Sequence, residues 1–161
     1  MSGEVIFPGR LGIQQRVLPS YRVPFFDMLA RVCEGGMSLF AGLPRAEESI
    51  ASGKLQIANH ALARNIHLLK GSLYFCYQRG LLDWLADWNP DALIVEANPR
   101  YLSTPAAIKW MHDRGRPVLG WGLGALPSAS SHFLRKWGER KWRAFLNRFD
   151  GLIAYSQRGA D

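Results

Sequence analysis

The sequence predicts an α/β domain of the Rossmann-like, three-layer kind, a mainly parallel sheet covered by helices on both faces. Three observations carry that expectation. Short apolar strand candidates alternate with helix candidates along the whole chain, the order that builds strand–helix–strand units. The strand candidates read as nearly continuous apolar runs, as strands buried on both faces do. The length of 161 residues, with 48% apolar and 20% charged residues, fits one domain with an ordinary core. A domain of that size buries roughly 70% of its unfolded surface.

In chain order, Leu11–Gln15 is a short strand, and Tyr21–Val32 carries Val23, Phe26, Leu29 and Ala30 at helical spacing. Gly35-Gly36 ends that helix, and Met37–Ala41 follows as a buried strand. One strand is expected within Leu55–Leu69, without a fixed register. Ser72–Trp88, with Leu73, Phe75, Cys76, Leu81, Leu82, Trp84 and Leu85, reads as one long buried helix. Asp91–Glu96 is the clearest strand, Thr104–Arg114 a helix, Pro117–Trp121 a strand, and Ser130–Arg148 a basic helix. Gly151–Tyr155 is a last strand, and Ser156 reads as the N-cap of a helix with one turn of sequence after it. That ending predicts a chain that is one half of something larger.

No apolar h-region opens the N-terminus, so no secretory signal is read there, and no run of 18 uncharged apolar residues suits a membrane span. Two cysteines, Cys33 and Cys76, both expected on helices, make a disulfide framework an unsuitable reading and point to a reducing cytoplasm. The histidines His60, His67, His112 and His132 show no ligand spacing, so no metal site is expected. The net charge of +7 is concentrated between His132 and Arg148, where Arg135, Lys136, Arg140, Lys141, Arg143 and Arg148 face Glu139 alone. A local basic element implies an anionic partner.

Four stretches resemble one family. RVLPSYRVPFF (Arg16–Phe26) is similar to the opening of group 1, family 4-like glycosyltransferases of the GT-B fold. ALIVEANPRYLS (Ala92–Ser103) resembles that family's strand and Glu-x-Asn-Pro-Arg turn, and GRPVLGWGLG (Gly115–Gly124) and FDGLIAYSQRGAD (Phe149–Asp161) follow in the family's order and spacing. The resemblance implies two Rossmann-like domains facing a cleft, the N-terminal one for the acceptor and the C-terminal one for a nucleotide-sugar. The E-x7-E pair of the donor domain is not found, so residues 1–161 are expected to be the acceptor domain without its donor half, inactive alone. Relatives often carry histidine within a W-G-H-G loop where this chain has Leu123, which can only pack.

Candidate site residues follow from position. Arg16 and Arg22 flank a Pro-Ser-Tyr loop containing Tyr21 at the carboxyl end of the first strand, where an anionic acceptor or donor phosphate would sit, and arginine suits bidentate phosphate recognition. Solvated loop arginines are the plainer alternative. Glu96 ends the strongest strand, followed by Asn98 and Arg100; the carboxylate suits positioning of an acceptor hydroxyl, service as a base, or a pairing with Arg100 that holds the loop, with positioning the favoured role. Gly120, Gly122 and Ala125 formally satisfy the dinucleotide pattern, but they lie on the fifth strand with Pro127 beyond, so Gly122 and Gly124 are read as letting backbone approach a ligand or making a tight turn. On the basic helix, Phe133, Trp137, Ala144 and Phe145 form a packing stripe, while Lys136, Arg140, Lys141, Trp142 and Arg143 are candidates to face an anionic membrane.

The expected function is therefore the acceptor-binding half of a glycosyltransferase for envelope or surface glycans. It would move a sugar from a nucleotide-sugar to a hydroxyl with retention, at the cytoplasmic side, peripheral to the inner face of the plasma membrane. No cofactor beyond the co-substrate is expected, nor a nucleic-acid partner, since the charge is confined to one helix. The expected partners are the missing C-terminal domain and a sugar or lipid-linked acceptor. The alternative is a non-enzymatic module that docks on a membrane or a partner chain.

Overall fold

The structure is a computed structural model that describes residues 5–122 and 132–154, with the backbone alone for 132–138. Seven strands form one sheet in the order β4-β3-β2-β1-β5-β6-β7. They are β1 (Leu11–Val17), β2 (Met37–Gly42), β3 (Asn59–Leu68), β4 (Phe75–Arg79), β5 (Ala92–Glu96), β6 (Val118–Gly122) and β7 (Gly151–Ala154). Every neighbouring pair is parallel except β3 with β4. Counting the parallel strands alone, the order is the 3-2-1-4-5-6 of doubly wound domains. The fold is a Rossmann-like, three-layer α/β sandwich, as the alternation predicts.

Two apolar layers hold the helices to the sheet. On one face, Phe26 and Ala30 of α1 (Val23–Arg31) pack with Leu55 over Ile13, Leu39 and Ile94. On the other, Trp84 and Leu85 of α2 (Leu81–Trp88) and Ile108 and Met111 of α3 (Thr104–His112) pack on Phe40, Leu93, Val95 and Val118. The alternation of Leu39 and Phe40, and of Leu93, Ile94 and Val95, to opposite layers is the period-two signature of strands covered on both sides. A fourth helix, α4 (His132–Leu146), precedes β7.

One expectation fails. Ser72–Trp88 is not a single helix; it holds a 3-10 turn at Gly71–Leu73, then β4, then α2. Gly80, at φ +87° with open space where a Cβ would stand, makes the turn between strand and helix that no continuous helix can contain. Before it, Cys76 and Gln78 face inward while Tyr77 and Arg79 face water, a strand alternation hidden among apolar residues that also fit helical spacing. Cys76 is consequently a strand residue, and Cys33 lies just beyond α1; both are free and buried. The first helix also starts later than its apolar pattern, because Ser20–Arg22 forms a 3-10 turn and Pro24 occupies the first turn of α1. The residues around Ser156 lie outside the described residues.

Candidate functional site

The chain runs from β1 outward to β2, β3 and β4, then returns to β5 on the opposite side of β1. The carboxyl ends of β1 and β5 therefore flank the topological switch point, where open α/β sheets leave a crevice for ligands. Glu96 closes its floor. The Glu96 Oε2 accepts the backbone N–H of Arg16 at 2.7 Å, and the Glu96 N–H donates to Gln14 Oε1 at 3.2 Å. Burial pushes the Glu96 carboxyl up, against the N–H of Arg16 and the charges of Arg22 and Arg16. Burial and the neighbouring Glu96 likewise push the Tyr101 phenol up, which keeps it a neutral donor beside the carboxyl.

Arg22 reaches the crevice from the N-terminal side of α1. Its guanidinium donates to Gln15 Oε1 and lies 5.3 Å from the Trp121 ring centroid and 5.7 Å from that of Tyr21. Arginine can only donate, so this bond fixes which end of the Gln15 amide faces Arg22. The other end, Gln15 Nε2, is fully buried and has no acceptor among the described residues. Buried donors are rarely left unmet, and Gln15 Nε2 shares this state with Arg45 Nε, Thr104 Oγ1 and Trp142 Nε1 among the described residues.

Beneath the crevice lies a network of buried amides. Gln78 on β4 donates to the Gln15 carbonyl at 3.0 Å and to Asn65 Oδ1 at 2.9 Å, and accepts from Gln14 Nε2. Asn65 in turn donates to the Arg16 carbonyl at 2.7 Å. β1, β3, β4 and β5 are thus tied together by side chains in addition to the backbone pairing of the sheet. Sequence reading missed Gln14, Gln15, Asn65, Gln78, Tyr101 and Trp121 as parts of this site. The one available signal was Gln14-Gln15, two amides inside an otherwise apolar strand.

The sequence-predicted residues separate in this frame. Arg16 contributes its backbone to the crevice, but its guanidinium is held at 2.8 Å by Glu48, with 13% and 17% of the two side chains exposed. Burial would lower the Arg16 pKa, but the bond to Glu48 together with the charge of Glu48 and the phenols of Tyr101 and Tyr74 outweighs it and raises it. The same bond from Arg16 holds the Glu48 carboxyl down at about 2. A depressed carboxylate contributes stability that is present above the ordinary carboxylate range and is lost as pH falls through its folded value. Glu48→Gln is expected to cost about 2 kcal/mol at pH 6. Thermal unfolding of the two proteins should converge as pH falls toward 2; a constant difference would refute the assignment.

Tyr21 stands at the rim, 74% exposed. Asn98 organises its own turn, its Oδ1 accepting the Arg100 N–H at 3.0 Å and its carbonyl the Tyr101 N–H at 3.0 Å. Arg100 is exposed, and no ion pair joins it to Glu96 among the described residues. A Cβ on Gly122 would stand 3.3 Å from the Ala97 Cβ, and one on Gly120 would meet the Phe149 ring at 2.9 Å, so close packing accounts for both glycines. Gly124, Leu123 and Ala125 lie outside the described residues.

On α4, Arg140, Lys141 and Arg143 are exposed. Trp142 is half-buried, its ring 6.1 Å from that of Phe145, and its indole N–H is buried without an acceptor among the described residues; Ala144, expected in the packing stripe, is exposed. The side chains of Lys136, Phe133 and Trp137 lie outside the described residues. No helix among the described residues is long and apolar enough to cross a membrane. No group of three His, Cys, Asp or Glu side chains is placed to hold a metal among the described residues.

No protein-family model, curated protein or solved structure matches the chain.

Proposed function

We propose that this chain is the acceptor-binding half of a glycosyltransferase that moves a sugar, with retention, from a nucleotide-sugar to a hydroxyl of an envelope or surface glycan. The observation that carries the reading is the grouping of Glu96, Arg22 and Tyr21 at the carboxyl ends of β1 and β5, the switch point of the sheet. The motif order of the sequence supports it independently.

The crevice has the chemistry for a neutral, hydroxyl-rich guest. Gln15 Oε1 holds the Arg22 guanidinium beside the crevice, and a polar group placed to bind an oxygen discriminates strongly against a ligand that lacks it. Glu96, already bonded to the Arg16 N–H, keeps further lone-pair capacity for a sugar hydroxyl. Tyr21 exposes a ring at the rim on which the C–H face of a sugar can lie. Glu96 is a positioning residue in this scheme; a donor domain would supply the nucleotide-sugar and the leaving-group contacts. The chain would work as a peripheral protein at the cytoplasmic face of the membrane.

The test uses the complete encoded protein with a panel of nucleotide-sugars and an envelope lipid and glycan extract. Extract-dependent release of free nucleotide is expected, with the acceptor KM raised at least tenfold by Gln15→Leu. No release with any nucleotide-sugar would overturn the reading and leave a non-enzymatic docking module in its place.

A further inference from the structure

The outer face of the β3–β4 hairpin is not used by the crevice. From Ser49 to Leu82 the chain contains no acidic residue, while Lys54, Arg64, Lys70 and Arg79 are cationic. β3 pairs with β2 only as far as Ala63; its remaining residues pair with β4 beyond the end of β2. Arg64 stands opposite Arg79, Ile66 opposite Tyr77, and Leu68 opposite Phe75. Ala63, Cys76 and Gln78 point inward and are buried, so the alternate set faces water.

That face is graded. Two cations stand opposed at its base, and the side chains become apolar toward the turn, where Leu69 and Leu73 are each 64% exposed on either side of Lys70. Like charges directly opposed across a strand pair are destabilising unless an anion joins them. No carboxylate among the described residues lies within ion-pair distance of Arg64 or Arg79. Leu69 adds a second oddity: it adopts φ 59°, the left-handed region that a bulky side chain rarely occupies, and exposes its side chain instead of packing it. The turn is held from behind, since the Tyr74 hydroxyl meets His67 Nδ1 at 2.8 Å and Arg45 lies 5.0 Å from the Tyr74 ring centroid. The leucines are presented on a braced projection, not in a groove.

We propose that this hairpin docks the protein on an anionic lipid bilayer, inserting Leu68, Leu69 and Leu73 at the boundary of headgroups and acyl chains while Arg64, Arg79 and Lys70 meet lipid phosphates. Leu68 lies four positions beyond Arg64, about 14 Å of extended chain, and long arginine stems span the interface from that depth. A projecting apolar tip backed by cations fits a fluid anionic surface better than a protein face, which would need a complementary cavity. The inference is argued from the hairpin's own residues, deepens the peripheral-membrane part of the glycosyltransferase reading, and places that contact on the hairpin, not on α4.

The test is co-sedimentation with vesicles of phosphatidylcholine containing 30% phosphatidylglycerol, and with phosphatidylcholine alone. Binding to the anionic vesicles is expected, falling at least tenfold in Leu69→Asp/Leu73→Asp and in Arg64→Ala/Arg79→Ala, and little changed in Arg140→Ala/Arg143→Ala. The substituted side chains are exposed, and an unchanged melting temperature will verify each variant's fold. A polarity-sensitive dye on Leu69→Cys should shift to the blue on the anionic vesicles, the native cysteines being buried. No binding, binding that survives both hairpin variants, or a dye that stays in water would overturn the proposal. A change of oligomeric state in the hairpin variants, without vesicle binding, would assign the face to a protein partner instead.

Discussion

Asp27→Ala is expected to lower the unfolding free energy by about 2–3 kcal/mol, the cost of unpairing several part-buried backbone donors at once. Asp27 lies on the inner side of α1 with 8% exposure. Its Oδ1 accepts the backbone N–H of Ile57 at 2.9 Å, of Gln56 at 3.1 Å and of Ala58 at 3.4 Å. These amides belong to the segment that leads into β3, which has no helix of its own to fix its course across the sheet. Burial would raise the Asp27 pKa, but the N–H groups of Ile57, Gln56 and Ala58 lower it. The sign follows: the contribution is complete above the ordinary carboxylate range and is lost as pH falls through the lowered folded value. Denaturant titrations at pH 7 should show the full loss, and the gap between the two proteins should narrow in acid. A change below 1 kcal/mol at pH 7 would mean that the segment is held by packing alone.

Gln78→Leu is expected to be costly as well, about 3–5 kcal/mol, although leucine has a similar volume. Gln78 is 1% exposed and serves the Gln15 carbonyl, Asn65 Oδ1 and Gln14 Nε2. Leucine would leave these groups buried without it, where each unmet group costs about 1–3 kcal/mol. The effect should also travel to the crevice, because Gln14 Oε1 accepts the Glu96 N–H. Amide exchange at Glu96 and Arg16 should therefore quicken in Gln78→Leu by more than the global loss explains. Stability within 1 kcal/mol of the parent, with unchanged exchange at those two amides, would show that the amide network is incidental.

The layers of this fold were legible because burial on both faces writes itself into a strand as an apolar run. Met37–Gly42 and Ala92–Glu96 sit in the sheet close to where their composition puts them. β4 was not legible: Leu73, Phe75, Cys76 and Leu81 satisfy helical spacing, and only the left-handed turn at Gly80 separates strand from helix. The candidate site was half legible. A rule about the carboxyl ends of strands picks out Arg16, Arg22 and Glu96. It does not reveal that the Arg16 guanidinium is held by Glu48, 32 residues away, or that Gln78 crosses to Gln14, 64 residues away. Such pairings depend on how the hairpin and the loop after β2 settle over the strand ends, and periodicity carries no record of that.

An amide-shift titration of the isotopically labelled chain with a panel of sugars and glycolipid headgroups tests the central claim most directly. The account predicts saturable shifts at Tyr21, Arg22, Glu96, Ala97 and Gly122, abolished by Gln15→Leu, with the hairpin amides of Ile66 and Tyr77 unmoved. Shifts that spare the ends of β1 and β5, or that survive Gln15→Leu, would contradict it.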